Sequence, residues 1–223
     1  MTAQKVEGYQ SMLRNLQHFF RSEINNDIID EQSIADSIHE AEIKFTYAIA
    51  DARVHWMTRH KQYDDTGLTD LEQGLRQVFI DSDAGITDLY RIARMWRVDP
   101  TGNLARIPLD YLHSASEGAA VHNPGTRIGS SFELWTETGD VNAATGRHEQ
   151  AIWIFNPEQS LPGGHLLFEY WFHPTQVTVD DLHLTDENGD FTKGPPLHRM
   201  LWFPILNYAK WVLAELAEEP SRS

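Results

Sequence analysis

The chain has 223 residues, 41% of them hydrophobic, with seven Trp, seven Tyr and ten Phe, which supports a packed core and excludes a disordered tail. Its formal net charge of −15 argues against broad nucleic-acid affinity, which needs a basic face, and the absence of cysteine excludes disulfides, thiolate zinc sites and a cysteine nucleophile. No apolar run approaches the ~18 residues of a membrane span, and the opening MTAQKVEGYQ lacks the basic start and apolar stretch of a secretory signal.

Tyr9, Met12, Leu13, Leu16, Phe19 and Phe20 recur at helical spacing and predict a first amphipathic helix over 5–21. Ser33 and Asp36 resemble a capping box. Beyond them Ile34, Ile38, Ala41, Phe45, Ala48, Ala52 and Trp56 step by three or four, which predicts a long second helix running to about residue 60. Residues 63–67, Tyr-Asp-Asp-Thr-Gly, read as a loop. Thr69 with Glu72 forms a second capping box, and Leu71, Leu75, Val78 and Phe79 predict a short third helix. Tyr90, Ile92, Trp96 and Val98 share one face of a strand over 88–98, closed by the turn Asp99-Pro100-Thr101-Gly102-Asn103. Residues 106–108 pair back to it, and 109–115 read as a helical turn or two. Strands follow at 128–137, 150–156 and 164–173, separated by turns at 138–140 and 162–164. Val177 to Leu184 reads as a loose extended stretch, and Asn188-Gly189 as a turn. A last helix covers 196–218, lined by Leu197, Met200, Leu201, Tyr208, Val212, Leu213 and Leu216, with a kink expected at Pro204. The fold class is therefore α+β: a helical body from both chain ends (1–85 and 196–218) with an inserted antiparallel β-rich region (86–195).

Four groups of residues invite a chemical reading, and each has a plainer one beside it. His165, Glu169 and His173 share a strand face, but positions four apart along a strand lie about 13 Å apart, too far for one ion whose bonds are near 2 Å. The plainer reading is a mixed, half-exposed sheet face. Asp186, Asn188 and Asp190 open like a calcium loop, but Phe191 stands where glycine belongs and Leu197 where a bidentate glutamate belongs. A polar hairpin tip suits them better. Arg53 and His60, two turns apart on the second helix, match a short R-x6-H pattern; ordinary surface pairing explains it as well. Trp135, Trp153, Tyr170 and Trp171, beside Glu133 and Glu169, could form a sugar platform, or core and subunit contacts. There is no G-x-S-x-G, P-loop, dinucleotide fingerprint or H-E-x-x-H. The expectation is no catalytic, cofactor-binding or metal-binding residue.

The order of segments carries more than any single residue. SIADSIHEAEIKF at 33–45 follows the opening helix; DLYRIARMWRV at 88–98 leads into IPLDYL at 107–112. AIWIFNP at 151–157 precedes LLFEYWFHP at 166–174, and PLHRMLWFPILNYA at 196–209 closes the chain. This series resembles the head-to-tail adaptor, or connector, proteins of tailed bacteriophages. That family has two N-terminal helices, a strand running into a P-x-D-x-L-type segment, a hairpin with prolines after its strands, and a returning C-terminal helix. The resemblance covers most of the chain as a pattern of segments rather than a tight motif. The stretch 113–147 is longer and more polar than the pattern needs, and few residues follow the last helix.

The resemblance implies a non-enzymatic structural virion protein, made in the host cytoplasm and placed at the head–tail junction. It implies a dodecameric ring that binds the portal protein and a tail or nozzle protein. Genomic DNA would pass through without sequence-specific binding, and no membrane or cofactor is involved. A ring closes by repeating one heterologous contact, and the many aromatics could supply its side surfaces. Two other readings stay open: a small acidic binding or inhibitor protein of the immunity type, and a hydrolase with a site on the β region using Glu133, Glu169 and His173.

Overall fold

The computed structural model describes residues 6–21, 29–65, 75–98, 106–111, 134–155, 165–184 and 193–218. The expected capping box at 69–72, the turns at 99–103, 162–164 and 188–189, and Glu133, Asp186, Asn188 and Asp190 lie outside those residues. Helices and a largely antiparallel sheet are both present, so the chain is α+β. Contacts divide it into two compact units: residues 1–57 with 173–223, and residues 58–172.

In the first unit, α1 (Tyr9–Phe19) buries Tyr9, Met12, Leu13 and Leu16, the apolar stripe read from the sequence. Helix α2 (Glu31–Asp51) begins earlier than expected. Its N-cap is Asp30, whose carboxylate accepts from the Ser33 N–H at 2.7 Å, rather than Ser33 itself. It also ends earlier than the expected residue 60. Arg53 takes the left-handed conformation (φ 54°), the Val54 N–H donates to the Ile49 carbonyl and the Arg53 N–H to that of Ala50. Those bonds make a Schellman stop without glycine. Residues 177–184 hold a short helix, α3 (Val179–His183), instead of an extended stretch. Thr178 and Asp181 form a reciprocal capping box there. A 3-10 turn (Arg199–Leu201) leads into α4 (Trp202–Glu218). Pro204 therefore lies in the first turn of α4, where its missing N–H costs no intrahelical bond, and the expected kink is not required.

Helix α4 packs on α2 and α1 through Ile205, Leu206, Ala209 and Leu213, all buried. The Tyr208 hydroxyl donates to Glu40 at 3.3 Å, and Lys210 lies 5.2 Å from the centre of the Phe19 ring. The return segment before α4 is pinned to the start of α1, with the Tyr9 N–H donating to the Lys193 carbonyl at 3.1 Å. Next to it, a Cβ added at Gly194 would come within 2.8 Å of the Trp202 ring and 3.2 Å of the Gly8 Cα. Gly194→Ala is accordingly expected to lower stability by about 1–3 kcal/mol, an overpacking cost readable by urea unfolding. A neutral result would mean that the Trp202 ring moves aside freely.

In the second unit seven described strands form one sheet: β1 (Arg59–Asp64), β2 (Leu75–Phe79), β3 (Leu89–Val98), β4 (Arg106–Tyr111), β5 (Leu134–Asn142), β6 (Arg147–Phe155) and β7 (His165–Phe172). Their order is β1-β7-β3-β4-β5-β6-β2. All pairs are antiparallel except β4–β5, a short parallel contact of Asp110 with Leu134 and Tyr111 with Trp135. The expected third helix is thus a correction, for 75–79 is β2, paired in register with β6. Leu75, Val78 and Phe79 fit a helical stripe, but the observed burial alternates, with Arg76 and Val78 facing in. The turn expected at 138–140 lies inside β5; the hairpin turns at 143–146, where Gly146 takes φ 69°. Residues 109–111 continue β4 rather than starting a helix. The β7 strand is buried from Leu166 to Phe172 on both faces, as befits a central strand, and the only charged residue in that run, Glu169, is buried with the rest.

The sheet curls on itself. Asp65 directly follows β1, at one end of the strand order, yet its carboxylate accepts from Arg76 on β2, at the other end, at 2.7 Å. The same oxygen accepts from Arg97 on β3 at 2.6 Å.

Candidate functional site

The residues singled out by chemistry do not converge. His165 and Glu169 belong to the sheet unit and His173 to the helical unit. Their surroundings differ. His165 Nδ1 lies 3.8 Å from the Asp64 carboxylate. Glu169, buried, accepts from the Thr58 hydroxyl at 2.8 Å, and His173 Nδ1 meets the Tyr47 hydroxyl at 3.1 Å. Among the described residues no group of three His, Asp or Glu side chains could hold a metal ion. Arg53 and His60 do not share a helix: Arg53 ends α2, whereas His60 lies on β1 opposite Glu169. That overturns the R-x6-H spacing, because the pattern assumed a helix through residue 60.

The proposed aromatic platform is mostly interior. Trp135, Tyr170 and Trp171 are buried, and Trp153 packs beside Phe155 and Leu75. The Tyr170 hydroxyl donates to Asp88, which also pairs with Arg59, and the Arg59 guanidinium stacks 3.7 Å above the Phe172 ring. These contacts hold strands together and turn three of the four rings inward, while Trp153 is partly buried.

An open depression of about 450 Å³ lies on the β5–β6 hairpin, lined by Glu137, Thr138, Gly139, His148, Glu149 and Gln150. Burial pushes the Glu137 carboxyl up, against the pull of Arg91 and the Ile92 N–H. Hydrogen bonds act the other way nearby. Gln77 and the Val141 N–H hold Asp140 down, and Thr145 and Ser82 do the same for Glu149. With Asp140 and Glu149 ionised, this end of the hairpin is an acidic surface rather than a proton-transfer pair.

Two buried polar clusters escaped the sequence reading. One is the Asp65–Arg76–Arg97 group described above, with the Asp65 carboxylate wholly inaccessible. The other centres on Glu42, on the inner side of α2 and 0% exposed. Its Oε1 accepts from the Tyr9 hydroxyl at 2.6 Å, and its Oε2 is buried without a hydrogen-bond partner. Asp181, which pairs with Lys193, faces it from α3. Burial raises the Glu42 pKa to about 8; the Tyr9 hydrogen bond opposes this and the Asp181 charge adds to it. Tyr9 is pushed far up, first by burial and then by Glu42. The sequence signal was a glutamate on the apolar stripe between Ile38, Ala41 and Ile49.

The chain matches no protein-family model, and no curated protein sequence matches it.

Proposed function

We propose that the chain is a head-to-tail adaptor of a tailed bacteriophage, a structural virion protein that forms a ring between portal and tail around the DNA channel. The observation that carries this reading is the order of segments that resembles the adaptor family. It agrees with the grouping of residues from both chain ends into one unit and of residues 58–172 into another. In this reading the helical unit is the ring body and the sheet unit is the part that meets the next tail component. The net charge of −15 supports a channel wall past which DNA slides, since each basic contact to phosphate would add to retention. The many acids need not all face the channel, for they also solvate the outer wall. No described helix is long and apolar enough to cross a membrane.

Imaging of intact particles tests the reading. The expected result is this chain in a closed ring, by family resemblance of twelve copies, between portal and tail. Absence of the chain from purified particles would overturn it. The same acidity then favours the small-binder reading, in which the chain masks a basic partner. A channel wall dominated by Lys and Arg would leave the adaptor role standing and defeat the sliding argument.

A further inference from the structure

Helix α4 is apolar on two opposite sides. Its inner side is buried against α2 and α1, as described. On its outer side Phe203 and Trp211 are 56% and 52% exposed and flank Asn207 at steps of four, and Met200, in the 3-10 turn just before the helix, is 60% exposed. Such a stripe marks a contact surface. The question is what covers it.

The spacing around Asn207 is symmetric. Phe203 and Trp211 lie one turn before and after it; Glu215 follows it by eight residues, and Arg199, on the 3-10 turn and 5.4 Å from the centre of the Trp202 ring, precedes it by eight. The charges also run against the helix's own dipole. Arg199 stands at the positive N-terminal end and the exposed Glu215 near the negative C-terminal end; the first turn has no acid and the last no base. An antiparallel copy of the same helix reverses both defects. Its negative end comes beside Arg199 and its positive end beside Glu215.

We propose that the free chain pairs with a second copy of itself through the outer faces of α4, antiparallel about a two-fold axis beside Asn207. Phe203 of each copy then lies level with Trp211 of the other, and the two Asn207 amides meet at the centre. A polar residue at one such position sets register in helix pairs. The contact is small. The exposed parts of Met200, Phe203 and Trp211 amount to roughly 300 Å² per chain, against about 800 Å² per partner in stable complexes. The pair is therefore weak and reversible, with a dissociation constant on the order of 10–100 µM. Being isologous, it closes on itself and cannot propagate. It covers an apolar stripe on unassembled chains and gives way when a larger surface is offered. The pairing stands on α4 and the 3-10 turn before it and does not require the adaptor reading.

Sedimentation equilibrium of the full chain, from about 1 to 300 µM to span that constant, tests it. The expected result is a shift from 25.6 kDa toward twice that mass as concentration rises. Trp211→Glu is expected to weaken the pair about 30-fold or more, as loss of a central aromatic anchor does. Arg199→Glu alone should weaken it several-fold, and adding Glu215→Arg should restore it, because the reversed charges are again complementary between antiparallel copies. All these side chains are on the surface, and circular dichroism checks that the variants fold. A monomer at every concentration overturns the proposal. So does a dimer indifferent to Trp211→Glu, or a cyclic assembly of the free chain. Absence of the chain from particles would sink the adaptor role and leave this result untouched.

Discussion

Replacing Asp65 by alanine is expected to lower the unfolding free energy by about 3–5 kcal/mol, the usual cost of removing one partner from a buried ion pair. The Asp65 carboxylate is wholly inaccessible, and Arg76 and Arg97 both donate to its Oδ2 while nearly buried themselves. Without it both nearly buried guanidinium groups lose the carboxylate they share. The loss is large against a typical stability of about 5–15 kcal/mol. It also acts on shape, because this carboxylate joins side chains from β2 and β3 to the end of β1. Urea unfolding at neutral pH, followed by tryptophan fluorescence, gives the number. Asp65→Asn should recover part of the loss, by keeping an acceptor without the charge. A cost below about 1 kcal/mol, the level of an exposed pair, would show that the group does not hold the sheet closed.

Raising the pH from about 4.5 to about 8 is expected to weaken the fold through Glu42. In the unfolded chain this carboxyl releases its proton near its ordinary value of 4.5; in the folded chain burial delays release to about 8. Between those values the folded state holds the additional proton, so rising pH favours unfolding. The contribution is complete below 4.5, shrinks through the window, and is gone above about 8. Its size is on the order of 5 kcal/mol, at 1.36 kcal/mol for each unit of pKa difference. The groups facing Glu42 are Tyr9 from α1, Asp181 from α3 and Lys193 from the return segment. Glu42→Gln keeps the shape and cannot ionise. Its stability should be flatter across the window and should exceed that of the parent chain near pH 8. Parallel pH profiles for the two proteins would show that Glu42 is not the group responsible.

Much of the fold was legible in local pattern. The stripe Tyr9, Met12, Leu13, Leu16 is buried as read, and β3 and β7 fall within a residue or so of the expected strands. These elements pack by one periodic face, or by a largely apolar run, and such a signal survives without knowledge of partners. The failures have a common cause. Residues 75–79 satisfy a helical period, but pairing with β6 and the Asp65–Arg76 contact override it. The end of α2 is set by a left-handed Arg53 where sequence reasoning looks for glycine. The short helix α3 is nucleated by its Thr178–Asp181 box, whose spacing was present but lay in a stretch with no apolar period.

The sequence by itself determined the α+β class, the amphipathic faces of the terminal helices and the net acidity, because composition and periodicity are properties of neighbours along the chain. It also carried the segment order on which the adaptor proposal rests. Only the tertiary structure decided which polar residues are buried together. Asp65 and Arg97 are far apart in sequence, as are Tyr9, Glu42 and Asp181, and no local rule brings them into contact. The metal-like trio is different. Strand spacing had already argued against one ion joining His165, Glu169 and His173, and the structure ends β7 at Phe172, before His173. Glu169 and His173 each take a hydroxyl partner from a neighbouring segment, Thr58 and Tyr47.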